Sequence, residues 1–485
     1  MEMAPHAAEC DQNDELRLTI SCKAKKAVAC SLNLPFEILN KYGSQKRLRS
    51  GKRIEMKHFQ MKRSNGPRSE IKGDNTSSSQ VLSASCIVRM AKTELIQFKN
   101  RKTDDFSNLS NNLKLSLSLL DAAEKFSRQE YDEAEKLLNF VLLDSHADDH
   151  PITRVVAFFA RDLRERIDSE TGKLDLEREV AHVDMDKALI DLKDAIHTCE
   201  QKLPFNQIAL FTGIQTILDS VGSAKRIHFI DIGQKLGSHW IVMMHALANR
   251  KDCPIEQLKI TAVCTPKDDI EECGKLLSSF AESMNLPFIF KILHSEMYEL
   301  EKDMFELEKD EALAVYLVFS LITLSASPKN VDSLIKGIKN LNPHIMVVNE
   351  IEVNINGSDF IDRFHESLFL CSAMFDHLED YLERDNQCRK IMEKIYFQAI
   401  IKNSVMTDDE ESFKQCCKID FWREYFARFG IVETELSQSS MYQASMLIRE
   451  SGCSSRFTLS MNEKCMLLGW NGTPLRSLSA WKFTA

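Results

Sequence analysis

The apolar positions change their spacing along this chain, and the changes divide it. Over residues 1–110 no period persists. Short apolar spots such as Leu32–Leu39 interrupt polar sequence, Gly66-Pro67 and Ser77–Ser79 supply turns, and the region reads as largely disordered. From about residue 111 helical spacing takes over. Leu115, Leu119, Ala122, Ala123 and Phe126 share one helical face, and Ala134, Leu137, Leu138 and Val141 share another. His150-Pro151 opens a third helix, with the proline near its first turn and Val155, Val156, Phe158 and Phe159 along its apolar side. After a charged connection over 170–186, helical spacing returns across Lys187–Gln201 and Asn206–Val221.

At Arg226 the pattern shortens to a strand. Ile227–Ile230 runs into Asp231 and Gly233, then Gly237, then a helix carrying Trp240, Met243, Met244 and Leu247. Strand, glycine loop, helix is the opening of a βαβ unit. Further strands are predicted at Leu258–Cys264, Phe288–Leu293 and, behind Pro343, Ile345–Val348. Further helices are predicted at Cys273–Met284, Ala312–Leu324, Val331–Ile338, Phe360–Leu382 and Trp422–Phe429. The chain ends with alternation across Phe457–Leu468, a turn at Asn471-Gly472 and a last apolar element near Trp481. The sum is a twisted α/β sheet domain behind a helical layer. One folded unit is expected over 111–485, with a helical cap at about 111–222 and an α/β core at about 223–485 with a possible cap insertion. The charge-free run Ala312–Pro328 has 17 residues. A membrane-spanning helix needs about 20, so the run reads as a buried helix and no membrane partner is expected.

Composition narrows the classes. The 485 residues are 44% hydrophobic and 28% charged, which excludes a collagen-like or wholly disordered chain. The net charge of -10 does not advertise a nucleic-acid binder. That charge is uneven, because a basic front precedes an acidic body. Lys41–Lys72 holds 11 Lys and Arg against two Glu. Its densest part, Lys46, Arg47, Arg49, Lys52 and Arg53, is either a nuclear import signal or a solvated basic linker. The 14 cysteines are scattered without a Cys-x-x-Cys pair, and the N-terminus shows no secretory signal, so a reducing intracellular compartment is expected.

Candidate chemistry is sparse. Asp231-x-Gly233-x-x-x-Gly237 lacks the central glycine of a dinucleotide loop, and the second strand ends Val263-Cys264-Thr265 without the acid that would hold a ribose. The loop is either a weak cofactor site made by Asp231, Gly233 and Gly237 or a tight structural turn. Glu350 and Glu352, two apart at a strand end, are either a carboxylate pair for acid–base work or a strand terminus meeting solvent. No phosphate loop, His-Glu-x-x-His or Gly-x-Ser-x-Gly elbow occurs. No catalytic residue, metal or cofactor is expected.

Several stretches in order resemble the plant GRAS family of transcriptional regulators, over roughly residues 111–485. Leu119–Glu124 resembles the opening of its first leucine-rich region and Pro151–Phe159 its close. Ile227-His228-Phe229-Ile230-Asp231 is similar to the Val-His-Ile-Ile-Asp hallmark, continued by Gly237, Trp240 and Ala246–Ala248. Leu276–Leu324 resembles the second leucine-rich region. Pro343, Glu350–Asn356, Phe360–Phe364 with Arg363, and Phe375–Glu379 resemble the next block. Trp422-Arg423, Gly469-Trp470, Pro474-Leu475 and Ser479-Ala480-Trp481-Lys482 resemble the C-terminal motif.

The resemblance implies a Rossmann-like, methyltransferase-like core with an α-helical cap. It implies a nuclear regulator, not an enzyme, that grips DNA-binding transcription factors or other GRAS proteins, forms homo- or heterodimers, and contacts DNA mainly indirectly. Direct sequence-specific DNA binding, or a methyl-donor enzyme or ligand-regulated scaffold, are the alternatives. Phe229 and His239 depart from the family pattern, as does the block Lys390–Ile400. Asp14-Glu15-Leu16-Arg17 breaks off the Asp-Glu-Leu-Leu-Ala signature of gibberellin-responsive members, so a member outside that DELLA group, without its hormone-triggered switch, is expected.

Overall fold

The computed structural model describes residues 82–98, 109–145, 150–173, part of 191–199, and 202–484 with short breaks at 234–236, 266–269, 325–326, 356–358, 384–385 and 407–416. The basic cluster Lys46–Arg53 and Asp14–Arg17 lie outside these residues.

A nine-stranded sheet organises one half. Its strands are β1 (Arg226–Ile232), β2 (Gln257–Cys264), β3 (Phe288–His294), β4 (Ala312–Val318), β5 (Ile345–Ile351), β6 (Ile431–Thr434), β7 (Phe457–Asn462), β8 (Cys465–Trp470) and β9 (Thr473–Phe483). The order is β3-β2-β1-β4-β5-β9-β8-β7, with β6 also pairing β9. The first five strands are parallel, and β5 passes to β9 antiparallel, with Val348 opposite Ser479. Strands β1, β4 and β5 are buried on both faces, so their alternate residues feed two separate cores. Ile227 and Phe229 face helices Pro204–Val221 and Ser238–Ala248, and Ile230 and Ile232 face helices Pro328–Leu341 and Ile419–Ala427.

A third core is entirely helical. Helices Ala84–Phe98, Asn111–Ser127, Tyr131–Asp144 and Pro151–Glu170 pack with Phe360–Tyr381 and the segment Gln387–Met406 from the second half of the chain. Pro151 stands at the first turn of its helix, where a missing N–H costs nothing, and His150 Nδ1 accepts from Ile152 N at 3.2 Å. Arg154 joins the two halves, 2.9 Å from Glu379 and 3.0 Å from Glu393.

Several expectations are corrected here. The Rossmann-like, methyltransferase-like α/β core with a helical cap is not the right description, because the described residues are mostly helical and the sheet is mixed. Residues 360–406 of the second half join the helical part, as a cap insertion within the core range, while helix Pro204–Val221, expected in the cap, packs on the sheet. Helix Ala84–Phe98, within the range expected to be largely disordered, also belongs to the helical core. Finally, Ala312–Val318 is a strand, followed by the short helix Ser320–Leu324. A strand buried on both faces is a continuous apolar run, which periodicity does not separate from a buried helix. Among the described residues no helix is long and apolar enough to cross a membrane.

Candidate functional site

The glycine loop after β1 is the place to test for chemistry. Strand alternation puts Asp231 on the Phe229 face, where its Oδ2 accepts from His239 Nε2 at 2.6 Å and from Trp240 Nε1 at 2.7 Å. Both donors sit in the first turn of helix Ser238–Ala248, so one carboxylate fixes that helix to the strand before it. Asp231 Oδ1 and His239 Nδ1 have no hydrogen-bond partner among the described residues. An Asp–His pair is half of a base-and-orienter arrangement. Here it is sealed: Asp231, His239 and Trp240 are at most 1% exposed. Phe229, Tyr316 and Trp240 pack around the imidazole or beside it. Burial raises the Tyr316 phenol well above its usual range, so it stays neutral.

The glycines are equally committed. Gly233 has φ +134°, and a Cβ there would overlap the Val318 carbonyl oxygen and crowd Ser320 Oγ. Ser320 Oγ in turn donates to the Ile232 carbonyl. At Gly233 the crevice between the ends of β1 and β4, where open parallel sheets bind ligands, is therefore taken up by the chain itself. Gly237 has φ +75° and precedes the first residue of its helix, with Cys273 Sγ against its Cα face. These residues do not fit a cofactor, since the cradle is occupied and the acid is spent on its own helix.

The two strand-end carboxylates hold helices. Glu350 Oε1 accepts from Leu321 N at 2.8 Å, and Glu352 accepts from Ile419 N at 3.1 Å, each at a helix N-terminus. Desolvation pushes Glu350 up to about 8 and Glu352 up to about 7. They face one side of β5 but serve separate helices.

The remaining motif residues are spread through the body. His228 lies on the opposite face from Asp231, with Nε2 2.8 Å from Thr261 Oγ1 and Nδ1 3.3 Å from Glu311, which pairs Lys259 at 2.7 Å. Burial, with Lys259 and Lys291 nearby, pushes His228 down to about 3, so it is neutral. Pro343 is buried between helix Pro328–Leu341 and β5, and Arg363 is buried in helix Phe360–Tyr381. Trp422 and Trp481 belong to the core under the Ile230 face; Trp481 Nε1 donates to Ser479 Oγ at 2.8 Å and its ring meets Phe426 edge-on. Trp470 stacks edge-on against His377 at 4.5 Å, and Gly469 lets β8 approach Thr473 at a bulge. No group of three or more metal-ligating side chains occurs among the described residues.

Sequence reasoning missed Asp376. Its two oxygens accept from Ala84 N at 2.7 Å and from Ser85 N and Oγ, both at 2.9 Å. A residue nearly 300 positions away thus caps helix Ala84–Phe98. Arg89 of that helix donates to Asn471 O and Thr473 Oγ1 in the β8–β9 turn. The advance signals were its place in the motif block Phe375–Glu379 and an acid on the apolar side of helix Phe360–Tyr381.

Asp231, Glu350 and Glu352 are thus each engaged by donors at the start of a neighbouring helix. Residues 115–482 match the GRAS domain family, and the chain belongs to that family. It is 30% identical to the DELLA protein RGL1 of Arabidopsis thaliana over 374 residues, covering 76% of this chain and 70% of that protein. It is 32% identical to the DELLA protein RGL3 of the same plant, over 58% of this chain and 54% of that one, and 29% identical to the DELLA protein GAI1 of Vitis vinifera, over 76% and 62%. The chain thus spans about half to 70% of the length of these relatives. The crystal structure of SCL7 from Oryza sativa superposes with a TM-score of 0.66 at 24% identity, covering 77% of this chain and all of that one.

Two expectations change with these likenesses. The fold is the mostly helical GRAS-domain fold seen in SCL7, in place of a methyltransferase-like core. The chain is also related to DELLA-type GRAS proteins, in place of a member set apart from them. Four residues near the N-terminus had suggested otherwise, and the kinship is carried by the folded body. The protein is a transcription-related GRAS regulator that acts through protein–protein interaction. Proteins of this family are typically nuclear.

Proposed function

We propose that this protein is a nuclear coregulator that reaches promoters through DNA-binding transcription factors or other GRAS proteins. The observation that carries the reading is the closed end of β1 and β4: Asp231 and Gly233 are consumed by packing, which leaves the outer surface as the working part. The acidic body disfavours independent duplex binding, which requires clustered cations to neutralise phosphates. Likeness to DELLA proteins supports a coregulator role for this chain as well.

Nuclear entry is assigned to Lys46, Arg47, Arg49, Lys52 and Arg53. Replacing all five by Ala in a fluorescent fusion should move the protein toward the cytoplasm; an unchanged nuclear signal assigns import elsewhere. The main test is DNA selection near physiological salt with the purified full chain, with and without its strongest nuclear partner. Enrichment of one sequence only when the partner is present supports the proposal. Salt-resistant enrichment by the chain alone overturns it in favour of direct recognition.

A further inference from the structure

Of the 11 prolines in the chain, three follow a hydroxyl: Thr265-Pro266, Ser327-Pro328 and Thr473-Pro474. Ser-Pro and Thr-Pro are the steps that proline-directed kinases phosphorylate, since proline brings no N–H to be left unpaired in the enzyme's cleft. The fold treats the three differently. Thr473 is 9% exposed, its Oγ1 accepts from Arg89, and its pairing with Trp470 holds it in the sheet. Thr265 follows β2, and its proline lies outside the described residues. Ser327 is half-buried, and Pro328 and Lys329 beside it are exposed.

Ser327 stands immediately before helix Pro328–Leu341. Its φ of -135° and ψ of 98° give an extended backbone, of the kind peptide recognition engages. Its carbonyl oxygen accepts from Asn330 N at 2.9 Å and Val331 N at 3.2 Å, but its hydroxyl makes no cap hydrogen bond among the described residues. The other described serine and threonine hydroxyls of the charge-free run Ala312–Pro328 are committed. Ser320 Oγ donates to the Ile232 carbonyl, and Thr323 Oγ1 donates to the Phe319 carbonyl at 2.6 Å. The helix also begins without an acid in its first turn, and Asp332, one turn on, is engaged by Tyr425 and Arg428. We propose that Ser327 is a phosphorylation site for a proline-directed kinase, and that its phosphate caps helix Pro328–Leu341.

In this step Ser327 Oγ bonds to the γ-phosphorus of ATP as the bond from that phosphorus to the bridging oxygen breaks. ADP leaves, and the hydroxyl proton is released. The product carries about 1.5 to 2 negative charges near neutral pH and three strong acceptor oxygens. It stands at the positive end of a 14-residue helix, with Lys329 two residues on. A phosphate in that place is favoured by the dipole and can accept from first-turn N–H groups, which the serine hydroxyl leaves to the carbonyl alone. The modification thus adds charge to a stretch that has none from Ala312 to Pro328 and strengthens the helix behind it. The inference goes beyond the coregulator reading and does not depend on it.

The test treats the purified full chain with ATP and a purified mitogen-activated protein kinase, and in parallel with a cyclin-dependent kinase, and maps phosphate by mass spectrometry. Ser327 should be labelled at least about tenfold more than Thr265 or Thr473. Pro328→Ala keeps the hydroxyl and suits the first turn of a helix; it should lower the labelling by about tenfold or more, with circular dichroism checking the fold. The phosphorylated chain should melt about 1 °C or more above the untreated one, a rise that Ser327→Ala treated alike does not show. No phosphate on Ser327 with either kinase overturns the proposal, as does labelling that ignores Pro328 or falls equally on Thr265 or Thr473. A lower melting temperature on phosphorylation overturns the capping role.

Discussion

Trp240 Nε1 donates to Asp231 Oδ2 at 2.7 Å, so the tryptophan that opens one helix is locked to the strand that precedes it. The family hallmark around Ile227–Asp231 is thereby a fastening, and its loss should be read in stability.

Replacing Asp231 by Ala strands the His239 and Trp240 donors in a dry core. Each buried donor left unpaired costs about 1–3 kcal/mol, so Asp231→Ala should lower unfolding free energy by roughly 2–5 kcal/mol. Asp231→Asn keeps an acceptor and should cost less. Urea denaturation followed by tryptophan fluorescence decides; equal losses would show that the hydrogen bonds are unimportant.

Gly233 and Gly222 make a matched pair. Both have positive φ, but a Cβ at Gly222 meets nothing within 4 Å, whereas one at Gly233 meets the Val318 carbonyl. Gly222→Ala should cost about 1 kcal/mol from backbone strain alone. Gly233→Ala should cost about 3 kcal/mol or more, because backbone must move. Thermal unfolding of the two variants measures the difference, and similar melting points would mean that the β1–β4 crevice is roomier than described.

Glu350 makes stability depend on pH. Its folded value, about 8, lies above the reference 4.5, so the folded state holds the proton more tightly. Its contribution is full below the unfolded value and fades as pH rises from about 4.5 through 8. Glu350→Gln keeps an acceptor for Leu321 N without the titration. The variant should show a flatter stability profile between pH 5 and 8, and gain on the parent by up to roughly 5 kcal/mol at the alkaline end. Parallel profiles would exclude Glu350 as the source.

Asp376→Ala should release helix Ala84–Phe98, since it removes the acceptor shared by Ala84 N, Ser85 N and Ser85 Oγ. Losing a buried helix cap costs about 1–2 kcal/mol. Limited proteolysis should then cut within residues 84–98 sooner than in the parent, while the sheet half stays resistant. Unchanged cleavage there would show that packing of Ile87, Val88 and Ala91 holds the helix without the cap.

How much of this was legible beforehand follows from the range of each interaction. Helix Pro151–Glu170 could be read because Pro151 and the apolar face act within a few residues. Strands β1, β2, β3 and β5 announced themselves as short apolar runs with sharp ends, and the ordered motifs from Leu119 to Lys482 carried the family. Strand β4 did not, because its apolar run continues without a charged residue into helix Ser320–Leu324, and the two together have the length of one buried helix. Asp231 stood out in the sequence, but only the helix that follows β1 returning onto its face placed His239 and Trp240 on one oxygen and so made it structural. Glu350 and Glu352 looked like a pair two residues apart; the packing of helices Ser320–Leu324 and Ile419–Ala427 over β5 gave each a different backbone N–H. Asp376 and Ala84 are nearly 300 residues apart, and no local pattern couples them. The sequence by itself determined the local periods, the turns and the membership; tertiary structure decided which acids are consumed and where helix Ala84–Phe98 is tied, because those depend on groups brought together only when the chain closes on itself.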